Sequence, residues 1–238
     1  MDLGGRIVRT EQVDQVGGAV VVVDVIRAFS TAAAALSAGA RCIYLVGGVD
    51  EALAFKAANP GSAAMGEDHG LRPEGFDLPN SPVRAAAFDL DGRVVVQRTS
   101  AGTQGVVAAR SAGRLWCASL VCASATARAV AAAALGDPTY VATGWLIDRP
   151  GRPDRDGTDD RLTATFIDEI RRGAKSSAEE VSAAVAATDE AALTLALGGE
   201  HVDPADIEFA VDVDRFDFAM EVTPDGLGLR LDRIEPIS

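Results

Sequence analysis

The sequence predicts an α/β fold, three-layer α/β/α, with a mixed, largely parallel sheet, and three observations predict it. Val20-Val21-Val22-Val23 is a β-branched run of the kind buried on both faces of a sheet covered by helices. Further short apolar runs, at 42–46, 63–65, 93–98, 115–119 and 139–145, alternate with segments of high helix propensity such as Thr31-Ala32-Ala33-Ala34-Ala35-Leu36. Three strand-to-helix passages carry hydroxyls, at Ser30-Thr31, from Thr99 to Thr103, and from Ser119 to Ser124.

Each element follows in order. An edge strand is expected at Arg6-Ile7-Val8-Arg9, then a strand over 18–24 and a helix over 30–39 that Ser30 or Thr31 caps and Gly39-Ala40 stops. Strand 42–46 completes a βαβ unit, helix 50–58 ends at Asn59-Pro60-Gly61, and Ala63-Ala64-Met65 is a short third strand. The stretch 66–82 is too rich in Gly, Pro and charge for a regular element, and long ordered loops in compact domains are usually functional. It closes on a helix over 82–87 through Asn80 or Ser81 followed by Pro82. Strand 93–98, the Thr99–Thr103 helix start, strand 115–119 and an Ala-rich helix come next. A strand over 139–145 leads into a polar stretch at 148–160, a helix from Leu162 to Arg172, and a helical region over 176–197. In that region Ser176 with Glu179, or Ser177 with Glu180, has capping-box spacing. A short helix follows Asp203-Pro204, and a hairpin through Asp225-Gly226 ends the chain. The whole reads as a single domain over residues 1–238, with a subdomain division near 146–160 as the alternative.

Composition narrows the function. With 48% hydrophobic residues in 238 the chain has ample material for a core, and its net charge of -13 repels phosphodiester backbones and anionic lipid. Nucleic acid and membranes are therefore excluded as expected partners. A small anionic substrate needs local basic groups or a metal. Cys42, Cys117 and Cys122 are odd in number and lack metal-ligand spacing, and the N-terminal stretch lacks the apolar core of a signal peptide, so a cytoplasmic location is expected.

Ligands of open α/β sheets settle beyond the carboxyl ends of the strands, so Asp24, the loop after Met65, the Thr99–Thr103 turn and Ser119–Ser124 are expected to converge. That pocket would hold Asp24, Glu67, Asp68 and Asp77 as oxygen donors suited to Mg²⁺, with Arg27, Arg72 and Arg98 as anion clamps. Hydrolysis of a phosphate monoester by metal-activated water fits this mixture best, with Glu67 or Asp68 as candidate general base. His69 is an exposed loop residue with a lesser claim, Asp159-Asp160 reads as a solvated helix N-terminus, and Cys122 as an inert buried thiol.

The motifs Asp24-Val25-Ile26-Arg27-Ala28-Phe29-Ser30-Thr31, Gly66-Glu67, Gly75-Phe76-Asp77-Leu78-Pro79-Asn80-Ser81-Pro82, Thr99-Ser100-Ala101-Gly102-Thr103 and Ala118-Ser119-Leu120-Val121 together resemble the 2-phosphosulfolactate phosphatase family. The run from Gly75 to Pro82 is the most specific of them. The resemblance implies an α/β/α enzyme that removes phosphate from 2-phospho-3-sulfolactate with Mg²⁺, on the route to coenzyme M. It implies that Asp24, Glu67 and Asp77 belong to the acidic, metal-associated set, and that Arg27, Ser30, Thr31, Asn80, Thr99, Ser100, Gly102 and Thr103 contact a small anionic phosphorylated substrate, with Ser119 in the neighbouring turn. Asp24, Glu67 and Arg27 are the expected catalytic residues. Two positions depart from the family, which usually carries asparagine where this chain has Ala101 and Cys122. A related phosphorylated acid as substrate, a non-catalytic anion-binding protein, another metal-dependent hydrolase and a homodimeric assembly stay open.

Overall fold

In the computed structural model, which describes residues 4–13, 16–146 and 154–235, the early strands are β1 (Arg6–Val8), β2 (Ala19–Val23), β3 (Cys42–Leu45), β4 (Ala63–Gly66), β5 (Leu78–Pro79) and β6 (Val94–Arg98). They are followed by β7 (Arg114–Ala118), β8 (Thr139–Ala142), β9 (Trp145–Leu146), β10 (Arg155–Asp156), β11 (Ala219–Asp225) and β12 (Gly228–Ile234). The first five helices are α1 (Ala28–Ser37), α2 (Val49–Ala58), α3 (Pro82–Ala87), α4 (Gly102–Ala108) and α5 (Ala123–Ala132). The last four are α6 (Thr158–Arg171), α7 (Ala178–Ala186), α8 (Asp189–Leu197) and α9 (Asp206–Ala210). None of the described helices is long and apolar enough to cross a membrane.

Ten strands form one sheet in the order β1-β8-β2-β7-β11-β12-β3-β6-β4-β5, and β9 and β10 make a separate ribbon. Pairing is parallel within β1-β8-β2-β7 and within β3-β6-β4-β5. The terminal hairpin β11–β12 lies between these groups and is antiparallel to both neighbours. Three antiparallel steps reverse the direction, so the two parallel groups run opposite ways. The mixed, largely parallel sheet expected from the sequence is present, with the hairpin at its middle.

Oppositely directed strands would normally send their carboxyl ends to opposite edges. Here the ends of β2, β4 and β6 meet, and α1, of whose ten residues nine are buried, packs against strands of both groups. A helix apolar on every side is one enclosed by the core, and its alanines let strands approach closely. One cluster joins Phe29 and Ala32–Ala35 to Val20 and Val22, Ile43, Met65, Val95, Met220 and Leu231, drawn from both halves of the sheet. Gln97, near the end of β6, donates from Nε2 to the Ala28 carbonyl at 2.9 Å. On the outer faces, Val21, Trp116 and Tyr140 pack with residues of α5 and α6, while Tyr44, Ala64 and Val96 pack with α2. Inner helices, sheet and outer helices are the three layers.

Local expectations fare unevenly. Ser81 caps α3 by accepting from Arg84 N at 3.3 Å, with Pro82 at the first helical position. The region 176–197 is two helices, not one, and Ser177, whose Oγ accepts from Glu180 N, is the cap. Helix α1 starts at Ala28, ahead of Ser30 and Thr31, because Asp24 Oδ1 accepts from Ala28 N at 2.9 Å and does the capping. Helix α6 starts at Thr158, which puts Asp159 and Asp160 in its first turn instead of before it. Of the polar stretch 148–160, residues 148–153 lie outside those described, so the alternative division near 146–160 falls partly there.

Candidate active site

A cavity of about 480 Å³ opens where β2, β4 and β6 end, and its polar lining includes Asp24, Arg27, Glu67, His69, Asn80, Ser100 and Arg155. Three of the four expected segments contribute, at Asp24, the loop after Met65 and the Thr99–Thr103 turn, while none of Ser119–Ser124 lines it. Gly102 stands so close to Asp24 that a Cβ there would fall 2.7 Å from Asp24 Oδ2, which is why glycine opens α4. Gly66 has φ +132°, and a Cβ would fall 1.9 Å from the Arg98 carbonyl oxygen, so only glycine lets β4 turn Glu67 toward β6.

Asp24 is 6% exposed, and burial, with the charge of Glu67 beside it, raises its pKa from 3.8 to about 6 despite hydrogen bonds from Ala28 and Thr143. Asp24 in turn raises two further buried acids, Asp159 and Asp160. The Thr143 hydroxyl lies 3.2 Å from Asp24 Oδ2 and 3.3 Å from Asp160 Oδ2, so the two carboxylates converge on one donor. Asp160 is fixed by Val25 N at 2.9 Å and Gly144 N at 2.7 Å, and burial beside Asp159 and Asp24 lifts its pKa well above the ordinary carboxyl value. Burial beside Glu190 and Asp24 lifts Asp159 to about 8, and its buried Oδ1 meets no hydrogen-bond donor. The reading of Asp159-Asp160 as a solvated helix end is thus corrected: they are 2% and 1% exposed. A signal for this was present, since Asp160, Thr163, Ala164 and Ile167 stand at i, i+3, i+4 and i+7, extending the buried stripe of α6 back to the aspartate.

Arg27 is 4% exposed and donates from Nη1 to Asp206 Oδ2 at 2.8 Å and to the His201 carbonyl at 3.1 Å. Asp206 also accepts from Ser81 Oγ, Val83 N and Asp203 N, so the arginine is held by a fully bonded carboxylate that sequence reasoning missed. Glu67 accepts from Gly70 N at 2.6 Å and from the backbone N and side-chain oxygen of Ser100, tying the β4 loop to the β6 turn. Asn80 is 5% exposed, lines the cavity, and has no partner for its buried Oδ1 among the described residues.

Other expected site residues are elsewhere or otherwise engaged. The Asp77 carboxylate binds Lys56 Nζ and Ala64 N, both at 2.8 Å, and does not line the cavity, so the structure does not join it to Asp24 and Glu67. Thr99 and Thr103 bond reciprocally, each hydroxyl accepting from the other's backbone N–H at 2.9–3.0 Å, which closes the first turn of α4 and leaves both hydroxyls buried. Ser30 Oγ donates to the Val25 carbonyl at 2.7 Å and lies 2.6 Å from Ser119 Oγ, a buried clasp between the β2 and β7 turns. Thr31 is wholly buried inside α1. Arg98 pairs with Asp68, and Arg72 with Glu200. Of the two departures from the family, Ala101 lines the cavity, while Cys122 does not and is buried, with its thiol pushed up to about 11 by burial.

A second hollow of about 710 Å³ is lined by Glu179, Glu208, Asp212 and Arg215, and the arginine is paired with Asp212, which leaves a negative surface unsuited to an anion. The first cavity suits one better. Among the described residues no three His, Cys, Asp or Glu side chains form a ready-made metal cluster. Mg²⁺, however, is commonly held by only one or two carboxylates plus waters and substrate oxygens. Asp24 lines the cavity under the repulsion of Glu67, Asp159 and Asp160, which a divalent cation at Asp24 would relieve, and on that ground the residues fit one.

A family model described as 2-phosphosulpholactate phosphatase matches residues 7–223. The chain belongs to that family. A probable 2-phosphosulfolactate phosphatase of Thermus thermophilus is 42% identical over 151 residues, which is 63% of this chain and 60% of that protein. Proteins described in the same words are 38% identical over 110 residues in Bacillus subtilis and 41% over 106 in Thermoplasma acidophilum, covering 46% and 44% of this chain and 48% of each relative. The chain thus spans between about half and 60% of the length of these curated relatives. The family match runs through the Asp24, Glu67, Asn80 and Ser100 motifs and also takes in Asp159, Asp160 and Asp206.

Proposed function

We propose that this protein is a Mg²⁺-dependent phosphatase of a small phosphorylated acid, 2-phospho-3-sulfolactate or a close relative of it. One observation carries the reading: buried, mutually repelling carboxyls at Asp24, Asp159 and Asp160 open through Asp24 onto a cavity that also holds Arg27 and Asn80. Asp24, with Asp159 and Asp160 behind it, would hold the cation. When bound, the cation supplies neutralisation of phosphoryl charge and a more acidic attacking water.

The chain's own groups do the positioning. Arg27, its Nη1 already fixed by Asp206, presents a preset guanidinium to phosphoryl oxygens, so little orientation is lost when charge develops in the transition state. Asn80 lines the cavity, where its amide NH2 can donate to substrate oxygens, and Ser100 lines the same wall. Glu67, bonded by Ser100 and Gly70, holds that wall in place and faces the cavity as a proton acceptor for water at its remaining lone pairs. Ala101, an apolar surface where an amide is usual in the family, makes a relative of phosphosulfolactate a serious candidate substrate. The reading includes a cytoplasmic setting, in keeping with three free buried thiols, and a homodimer, which sedimentation velocity checks.

Phosphate release from a panel of small phosphomonoesters, with and without Mg²⁺, tests it. Release that requires Mg²⁺ and disappears in Asp24→Asn is the expected result. Tight anion binding with no release from any ester would make the protein a binder instead.

A further inference from the structure

The ribbon β9–β10 pairs Arg155 with Leu146 and Asp156 with Trp145. Residues directly opposite in an antiparallel pair project from the same face, and successive residues from opposite faces. The Trp145 face is fastened to the body of the protein, because the guanidinium of Arg161 lies 4.9 Å and that of Arg9 5.8 Å from the centre of its ring. The other face carries Leu146 and Arg155, and both line the cavity. Register, not chance exposure, therefore aims Arg155 at the site.

Charge makes the placement specific. Two arginines line the cavity, and the charge of Arg27 is matched by Asp206 at 2.8 Å. Arg155 has no carboxylate partner among the described residues. An uncompensated guanidinium at the rim of a cavity with acids on its floor, in a chain of net charge -13, is a receptor for an anion arriving from solvent. Leu193 and Leu197 of α8 also line the cavity, and with Leu146 they offer aliphatic surface to a short carbon skeleton.

We infer that Arg155 is a specificity residue that binds a second anionic group of the substrate, a sulfonate or a carboxylate, while the phosphate lies at the Asp24 end. The inference rests on the phosphatase reading above and names the group that sets its substrate class. The test compares kcat/KM of the full chain and its Arg155→Gln and Arg155→Lys variants on phenyl phosphate, 2-phospholactate and 2-phospho-3-sulfolactate. In Arg155→Gln the preference for the doubly functional esters over phenyl phosphate should fall about tenfold, through KM, as expected for loss of one charged recognition contact. Arg155→Lys should restore part of it. The ester that loses more identifies carboxylate or sulfonate as the bound group, and an unchanged preference overturns the assignment. If the wild-type chain releases phosphate from none of the three, the phosphatase reading fails, and calorimetry with lactate and sulfolactate decides Arg155 separately. Weaker binding of either by the glutamine variant supports it; equal affinity of both removes it.

Discussion

Two sets of buried acids flank the first turn of α1, and they are handled in opposite ways. Asp206, fully buried, is matched by Arg27 and bonded by Ser81, Val83 and Asp203. Asp24, Asp159 and Asp160, as deeply buried, meet chiefly one another and a few backbone donors. The first arrangement is complete in itself and builds the wall that aims Arg27. The second is complete only with protons or a cation. Burial of a carboxylate therefore does not mark a reactive site; burial without compensation does.

The comparison breaks most visibly at Asp24. Asp24→Asn should lower Mg²⁺-dependent phosphate release by on the order of 10³-fold, yet raise the melting temperature of the metal-free protein at neutral pH, since it removes repulsion. A lower melting temperature would mean that Asp24 is compensated after all. On the other side of Arg27, Asp206→Asn should cost about 3 kcal/mol or more in urea unfolding, because it leaves a guanidinium buried without its partner.

Titration sharpens the contrast. Folding raises Asp24 from 3.8 to about 6 and Asp159 to about 8, so each carboxyl stabilises the fold fully below pH 3.8 and loses that contribution as pH rises through its folded value. The metal-free melting temperature should fall between pH 4 and pH 8, and added Mg²⁺ should raise it more at pH 8.5 than at pH 5. Melting curves in which Mg²⁺ acts equally at both would separate the cation from these acids. Smaller effects follow at the residues the structure takes out of the site. Thr99→Ala should cost about 1 kcal/mol by opening the first turn of α4, with KM changed less than the stability. Asp77→Asn, in a half-exposed pair with Lys56, should cost no more than about 1 kcal/mol and leave the Mg²⁺ requirement of phosphate release intact.

Much of the frame was legible in the chain because it is governed by nearest neighbours. Val20–Val23, the Ser81-Pro82 helix start and the hairpin through Asp225-Gly226 carry their own propensities, and each formed where expected. The motif residues Asp24, Arg27, Glu67, Asn80 and Ser100 do line one cavity. Less legible was what each polar group faces. Thr99 and Thr103 look like ligand hydroxyls in sequence but close a turn, Asp77 sits in the most family-specific run yet answers Lys56, and Asp159-Asp160 resemble any acidic helix start.

By itself, then, the sequence determined most of the strands, the start of α3 and which turns carry acids and hydroxyls, since those properties reside in a few consecutive residues. Only the tertiary structure decided that oppositely running strands meet, that Asp206 rather than solvent balances Arg27, and that Arg155 borders the cavity while Asp77 does not. The physical reason is that compensation of charge and access to a cavity are relations between residues as many as 179 positions apart, as with Arg27 and Asp206, and they come into being when both halves of the sheet pack with α1 into one core.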